Sequence, residues 1–160
     1  MIALGIDPGT TRIGFGVIEY NRSSFRCIDY GIIKNTVKDR SENYKNTAKE
    51  LNILIKKYRP DICGIEKLFF LNNQKTVMSV SEMRGVIILT VAQNNIPIEE
   101  PTPLQIKQSI SNYGRAGKAQ VQKMVQMILG IKEEIRPDDA ADALAIAICS
   151  ANNYTPPIIK

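Results

Sequence analysis

Ile2-Ala3-Leu4-Gly5-Ile6-Asp7-Pro8-Gly9-Thr10-Thr11-Arg12-Ile13-Gly14-Phe15-Gly16-Val17-Ile18-Glu19-Tyr20 is the stretch on which the rest of the chain depends. It carries one carboxylate, Asp7, out of an otherwise apolar strand and into a tight turn. Ile2, Leu4 and Ile6 alternate with Ala3 and Gly5, and none of them is charged, which predicts a strand buried on both faces and central in its sheet. Pro8 and Gly9 supply the fixed φ and the permissive φ of a turn, and Arg12 to Tyr20 reads as a second strand that completes a hairpin. Gly5, Gly14 and Gly16 lack side chains, a pattern that fits a close approach to the backbone by something else in the structure. Taken alone, Asp7 before Pro-Gly reads first as a turn initiator bonded to its own backbone, and two other segments change that reading.

Working outward, Phe25 to Lys34 supplies a third strand and an antiparallel meander. Ser41 to Tyr58 places Tyr44, Ala48, Leu51, Leu54, Ile55 and Tyr58 at helical spacing, and Pro60 stops the helix. Asp61 to Glu66 follows as a short strand. The segment from Asn73 to Asn94 is the longest helical pattern, apolar almost all round from Val86 to Ala92, which predicts burial against both the sheet and a further partner such as a second subunit. Ile96-Pro97-Ile98 reads as an edge strand, since Pro97 cannot donate to a ladder.

Thr102-Pro103 opens a short helix to about Ser109. Ser111 to Lys118 forms a polar, glycine-rich, basic loop containing Arg115, and it departs from a phosphate-binding P-loop at Asn112 and Ala119. Helices from Ala119 to Leu129, ended by Gly130, and from Asp138 to Ala151 complete the chain. The order predicts an α/β fold with a mixed five-stranded sheet flanked by helices, one domain over residues 1–154 and a flexible tail over 155–160.

At 160 residues and 44% hydrophobic, the chain has material for a single core. It shows no apolar run long enough to span a membrane and no signal-peptide pattern, which predicts a cytoplasmic protein. Cys27, Cys63 and Cys149 are too dispersed for a disulfide framework or a structural zinc site and read as small core residues. Histidine is absent, which excludes Ser-His-Asp and Cys-His nucleophile pairs, His-ligated zinc and imidazole acid-base chemistry. A net charge of +5 favours an anionic partner, nucleic acid first.

Against that basic background, carboxylates stand in three unexpected places. Asp7 ends the first strand. Glu66 ends the apolar run Ile62 to Ile65, where an unpaired carboxylate costs several kcal/mol; pairing with Lys67 or solvation is the plainer account. Asp139 and Asp142 stand at i, i+3 on the first turn of a helix whose intervening alanines let it press closely on a sheet, and Asp138 beside them reads as an N-cap. If strand 1, strand 4 and this helix meet, four carboxylates converge, and their repulsion is relieved by divalent cations, Mg²⁺ or Mn²⁺ for an all-oxygen set. Two such ions about 4 Å apart can activate water for phosphodiester hydrolysis.

Together, Gly-Ile-Asp-Pro-Gly-Thr around Asp7, Ile65-Glu66, and Asp-Ala-Ala-Asp-Ala-Leu-Ala-Ile-Ala at 139–147 resemble the RuvC family of crossover-junction (Holliday junction) endonucleases over nearly the whole chain. The resemblance implies an RNase H-like fold, a homodimer, Mg²⁺ dependence with two ions per subunit and Mn²⁺ as a substitute, and paired cuts in a four-way DNA junction during recombination and repair. It also implies the RuvA and RuvB branch-migration complex as partners. Carried over by position, Asp7, Glu66, Asp139 and Asp142 would be the metal-binding catalytic residues. Lys107 and Lys118 would lie near the scissile phosphate, Arg115 with them on DNA, and Phe69 against unpaired junction bases, with Phe70 as the alternative ring. The opening motif is also similar to that of actin-like sugar kinases and chaperone ATPases, which need two such lobes, and of the YqgF (RuvX) nucleases, which the Asp-Ala-Ala-Asp-Ala-Leu-Ala helix disfavours. A non-catalytic junction-binding dimer is the remaining rival.

Overall fold

The computed structural model describes residues 1–21, 24–68, 74–111, 114 and 116–155. Ten elements follow in order: β1 (Ile2–Asp7), β2 (Arg12–Asn21), β3 (Ser24–Lys34), α1 (Arg40–Tyr58), β4 (Ile62–Ile65), α2 (Gln74–Gln93), β5 (Ile98–Glu99), α3 (Pro103–Ser111), α4 (Lys118–Leu129) and α5 (Asp138–Asn153). The strands form one sheet in the order β3-β2-β1-β4-β5. β1 is therefore its centre, as its uncharged sequence predicts. β1, β2 and β3 pair antiparallel, and β4 joins β1, then β5 joins β4, in parallel.

Local chemistry sets the ends of the elements. Asp39 caps α1 by accepting from the Ser41 amide at 2.8 Å, and Arg59 closes the helix in the left-handed region at φ 48°. Thr102 and Gln105 form a reciprocal capping box at the start of α3: Thr102 N–H donates to Gln105 Oε1 at 2.8 Å, and Gln105 N–H to Thr102 Oγ1 at 3.2 Å. Gly130 ends α4 at φ 65°. Two expectations change. Pro137, not Asp138, takes the extended N-cap conformation of α5, so Asp138 lies inside the first turn. The edge strand begins at Ile98, while Pro97 joins the sheet only as an acceptor, its carbonyl taking the Cys63 N–H at 2.9 Å.

The alternation of side chains along the strands divides the core into two layers. Leu4, Ile6, Ile13, Val17, Cys63 and Ile65 pack with Leu51 and Ile55 of α1 and with Met83, Ile87 and Val91 of α2. On the other face, Ala3, Ile18 and Ile62 meet α3, α4 and the alanine-rich α5. That second face is bare at its middle. Gly5 is paired with Gly16 on β2 and with Gly64 on β4, so three neighbouring strands present glycine in one row, and Gly14 lies opposite Asp7 one step further along.

α5 is the element that approaches these glycines. A Cβ on Gly5 would lie 2.1 Å from the Ala143 carbonyl oxygen, one on Gly14 would lie 1.9 Å from the Asp139 carbonyl oxygen, and one on Gly16 would lie 2.8 Å from the Leu144 amide nitrogen. The helix backbone thus rests on the sheet backbone, closer than any side chain permits. Ala140, Ala141, Ala143, Ala145, Ala147 and Ala151 are all buried here. Their small side chains are what allow the helix axis to come so near.

Candidate active site

The glycine seam carries the acids to one end of the sheet. Asp7 follows Ala3 and Gly5 on the α5 face by two-residue alternation. Glu66 directly follows the neighbouring strand β4 and is level with Asp7, its amide donating to the Ile6 carbonyl at 3.4 Å. Asp139 lies above Gly14, the residue that pairs with Asp7. One turn of helix then places Asp142 beside them. Burial pushes the Asp7 carboxyl up to about 7, with the charges of Glu66, Asp142 and Asp139 adding to the rise and Lys118 opposing it. Glu66 is raised by burial and then by Asp142, against the pull of Lys107, and Asp142 is raised by burial against its bond to Lys118. Three separate elements therefore place their carboxylates within each other's fields.

Basic side chains border the acids. Lys118 Nζ lies 3.1 Å from Asp142 Oδ2 and 3.3 Å from Asp138 Oδ2. With Lys107, it also borders a hollow of about 260 Å³ that holds Glu66 and Asp142 above an apolar floor of Ile106, Val121 and Ile146. Arg12 Nε lies 3.4 Å from Asp139 Oδ2, an atom that is buried and accepts no hydrogen bond from the described residues.

The donor set fits a hard divalent cation: it is all oxygen, it includes a buried carboxylate oxygen without a hydrogen bond from the described residues, and its charges repel one another. Among the described residues, however, no three of these groups already share one coordination sphere. Lys118 and Arg12 stand against Asp142 and Asp139 in this arrangement. Phe69, Phe70 and Arg115 lie outside the described residues.

The profile of crossover junction endodeoxyribonuclease RuvC matches residues 3–150. The crossover junction endodeoxyribonuclease RuvC of Caldicellulosiruptor saccharolyticus is 52% identical over 151 residues, covering 93% of this chain and 91% of that one. The chain belongs to the RuvC family. Its fold is similar to that of Thermus thermophilus RuvC in complex with a Holliday junction substrate, with a TM-score of 0.89, 30% identity, and coverage of 94% of this chain and 93% of that one. A yeast mitochondrial Holliday junction resolvase, with a TM-score of 0.66 and 15% identity over 92% of this chain and 76% of that one, shares the RNase H-like fold. Membership of the RuvC family decides against the kinase, chaperone and YqgF alternatives for the opening motif.

Two details go beyond what the RuvC resemblance identified. Arg12 was not among the residues singled out, although counting by twos from Gly14 places it on the face that carries Asp7. Lys107, not Lys67, is the cation that acts on Glu66.

The raised Asp7 also fixes a pH dependence. Its folded value of about 7 lies above the ordinary 3.8, so the native metal-free protein favours the protonated form. The stability this contributes is complete below about pH 4 and is lost as pH rises through 7. Metal-free protein is expected to melt roughly 5 °C or more lower at pH 8 than at pH 5. A divalent cation held by Asp7 would favour the ionised form, so saturating cation is expected to remove that difference. Thermal melts of the wild type and Asp7→Asn provide the check; an equally steep pH dependence in the variant would remove Asp7 as its source.

Proposed function

We propose that this chain resolves four-way DNA junctions by symmetric, metal-dependent phosphodiester hydrolysis during recombination and DNA repair. The observation that carries this reading is the meeting of Asp7, Glu66, Asp139 and Asp142 from the first strand, the fourth strand and the last helix, in a chain whose net charge is +5. Residues 1–154 act as one nuclease domain.

The four carboxylates would hold two Mg²⁺ per subunit, with Mn²⁺ as a substitute. When bound, such ions supply Lewis-acid activation of water and neutralise charge at the leaving oxygen. Lys107 and Lys118 flank the same hollow and hold the strand's phosphates against it. Phe69 meets the unpaired bases at the crossover, and Arg115 adds a backbone contact. On this reading the RuvA and RuvB branch-migration complex is the partner, and the work is done in the cytoplasm. No described helix is long and apolar enough to cross a membrane.

The decisive experiment is a denaturing gel of a labelled four-way junction incubated with the protein, with and without Mg²⁺. Paired cuts in strands of like polarity on the junction, and none on plain duplex or RNA, are expected. Binding without cutting would instead indicate a non-catalytic junction-binding protein. Lys107→Ala and Lys118→Ala are expected to slow cleavage by about 100-fold while weakening junction binding by only a few-fold, because a lysine beside the scissile phosphate acts on charge that develops in the transition state. Parallel single-turnover and binding assays test this, and equal losses in both would reduce the two lysines to backbone anchors.

Two like-polarity cuts need two active sites, which a two-fold homodimer supplies in register with the symmetry of the junction. Met78, Gly85 and Leu89 recur at helical spacing on the outer side of α2; Met78 is 69% and Leu89 58% exposed, and no atom of the described residues lies within 4 Å of a Cβ position on Gly85. Such a stripe favours α2 as the interface. Leu89→Arg is expected to give a monomer in sedimentation velocity, and an unchanged dimer would move the interface elsewhere.

A further inference from the structure

Arg12 opens β2 on the same face as Gly14, the glycine beneath the backbone of Asp139. Its guanidinium lies beside the one buried oxygen of Asp139 that accepts no hydrogen bond from the described residues, yet its side chain remains 58% exposed. The open side faces a hollow of about 570 Å³ lined by Arg12, Lys118, Arg136, Pro137, Asp138 and Asp139. Lys118 also lines the smaller hollow around Glu66 and Asp142, so the two hollows adjoin at the carboxylates. In the absence of metal, each acid in the first turns of α5 has a resident cation: Lys118 serves Asp138 and Asp142, and Arg12 serves Asp139.

Such a half-exposed pair is weakly held, whereas a divalent ion on the same oxygen carries twice the charge. A guanidinium cannot shed its proton, so displacing it transfers a full positive charge toward the hollow. There, Arg136 is paired with Glu134, at 3.0 Å to each carboxylate oxygen, with both side chains largely in water. Two guanidinium groups bordering one open hollow suit bidentate recognition of a phosphate.

We propose that Arg12 is the exchangeable counter-ion of Asp139: it occupies the carboxylate in the metal-free protein, yields it to the divalent cation, and then binds a backbone phosphate of the cut strand in the hollow it shares with Arg136. The release onto DNA rests on the junction-cutting reading; the exchange at Asp139 does not. Because binding free energies are reciprocal, this device makes metal and DNA each tighten the binding of the other through a single side chain.

Arg12→Gln in the full chain tests both halves. In calorimetric titration of the DNA-free protein with Mn²⁺, the variant is expected to bind about two- to five-fold more tightly, the change that loss of an exposed ion pair corresponds to. Junction binding is then followed against salt concentration in EDTA and in Ca²⁺. In EDTA, wild type and variant are expected to share one salt slope; in Ca²⁺, the variant's slope is expected to be shallower by about one, the signature of one lost phosphate contact. Unchanged Mn²⁺ affinity would overturn the exchange. A slope difference of equal size in EDTA and Ca²⁺ would also overturn it, by making Arg12 a permanent phosphate contact. If the wild type shows no preference for junctions over duplex, the junction-cutting reading and the release step fail together, and the Mn²⁺ titration still decides the exchange.

Discussion

Glu66→Gln and Asp139→Asn are each expected to lose junction cutting by more than about 100-fold while binding junctions as tightly as the parent protein or slightly more so. About 100-fold is the upper range for losing an outer-shell partner of a metal site, and these substitutions replace a charged carboxylate of the proposed metal site itself with a neutral amide. Binding survives because each change also removes a negative charge that faces phosphates. Asp139→Asn further deprives Arg12 of its carboxylate partner and leaves a guanidinium open to DNA. Single-turnover cleavage and gel-shift assays on the same preparations separate the two effects. Cutting retained by either variant would overturn the metal-site assignment.

Gly14→Ala is expected to be as damaging without altering any polar group. The new methyl would stand 1.9 Å from the Asp139 carbonyl oxygen, so α5 must lift or β2 must bend. Overpacking of a tight core costs about 1 to 3 kcal/mol, and a contact between two main chains, which no rotamer can relieve, belongs at the top of that range. The lift also moves Asp139 relative to Asp7, and a displacement of about 1 Å can cost 100-fold in rate. Gly64→Ala provides the contrast. Its methyl would meet the Ser150 Oγ at 2.1 Å, a side-chain atom that is itself buried without a hydrogen-bond partner. Adding Ser150→Gly should therefore restore much of the stability lost in Gly64→Ala, whereas no side-chain substitution in α5 should rescue Gly14→Ala. Denaturant melts of the single and double variants measure the difference, and rescue of Gly14→Ala by Ala140→Gly would show that the clash is not with backbone.

The element order was legible because each element carries its own punctuation: Pro8-Gly9 in the first turn, Pro60 after α1, Thr102 with Gln105 at α3, and Gly130 after α4. The glycines at 5, 14 and 16 announced a close neighbour without naming it. α5 lies at the other end of the chain, and no local pattern connects the two. Asp138 was misread as a cap because an aspartate before an alanine helix has that appearance; Pro137 adopts the cap geometry and leaves Asp138 free to engage Lys118. The four acids stand out in the sequence as an ordered set, but their mutual spacing does not. That the acids face resident cations depends on Lys118 and Arg12, whose reach is a property of the folded surface.

The glycine seam also has a kinetic consequence. It joins the first strand to the last helix, and its main-chain contacts are among the longest-range in sequence that the fold contains. Contacts of that separation carry a loop-closure cost and slow the search for the native state. A chain whose hairpin and early helices have formed still lacks Asp139 and Asp142 beside Asp7, so the proposed nuclease centre would not exist until α5 docks. On that reading, recovery of cleavage after dilution from denaturant is expected to trail the return of secondary structure.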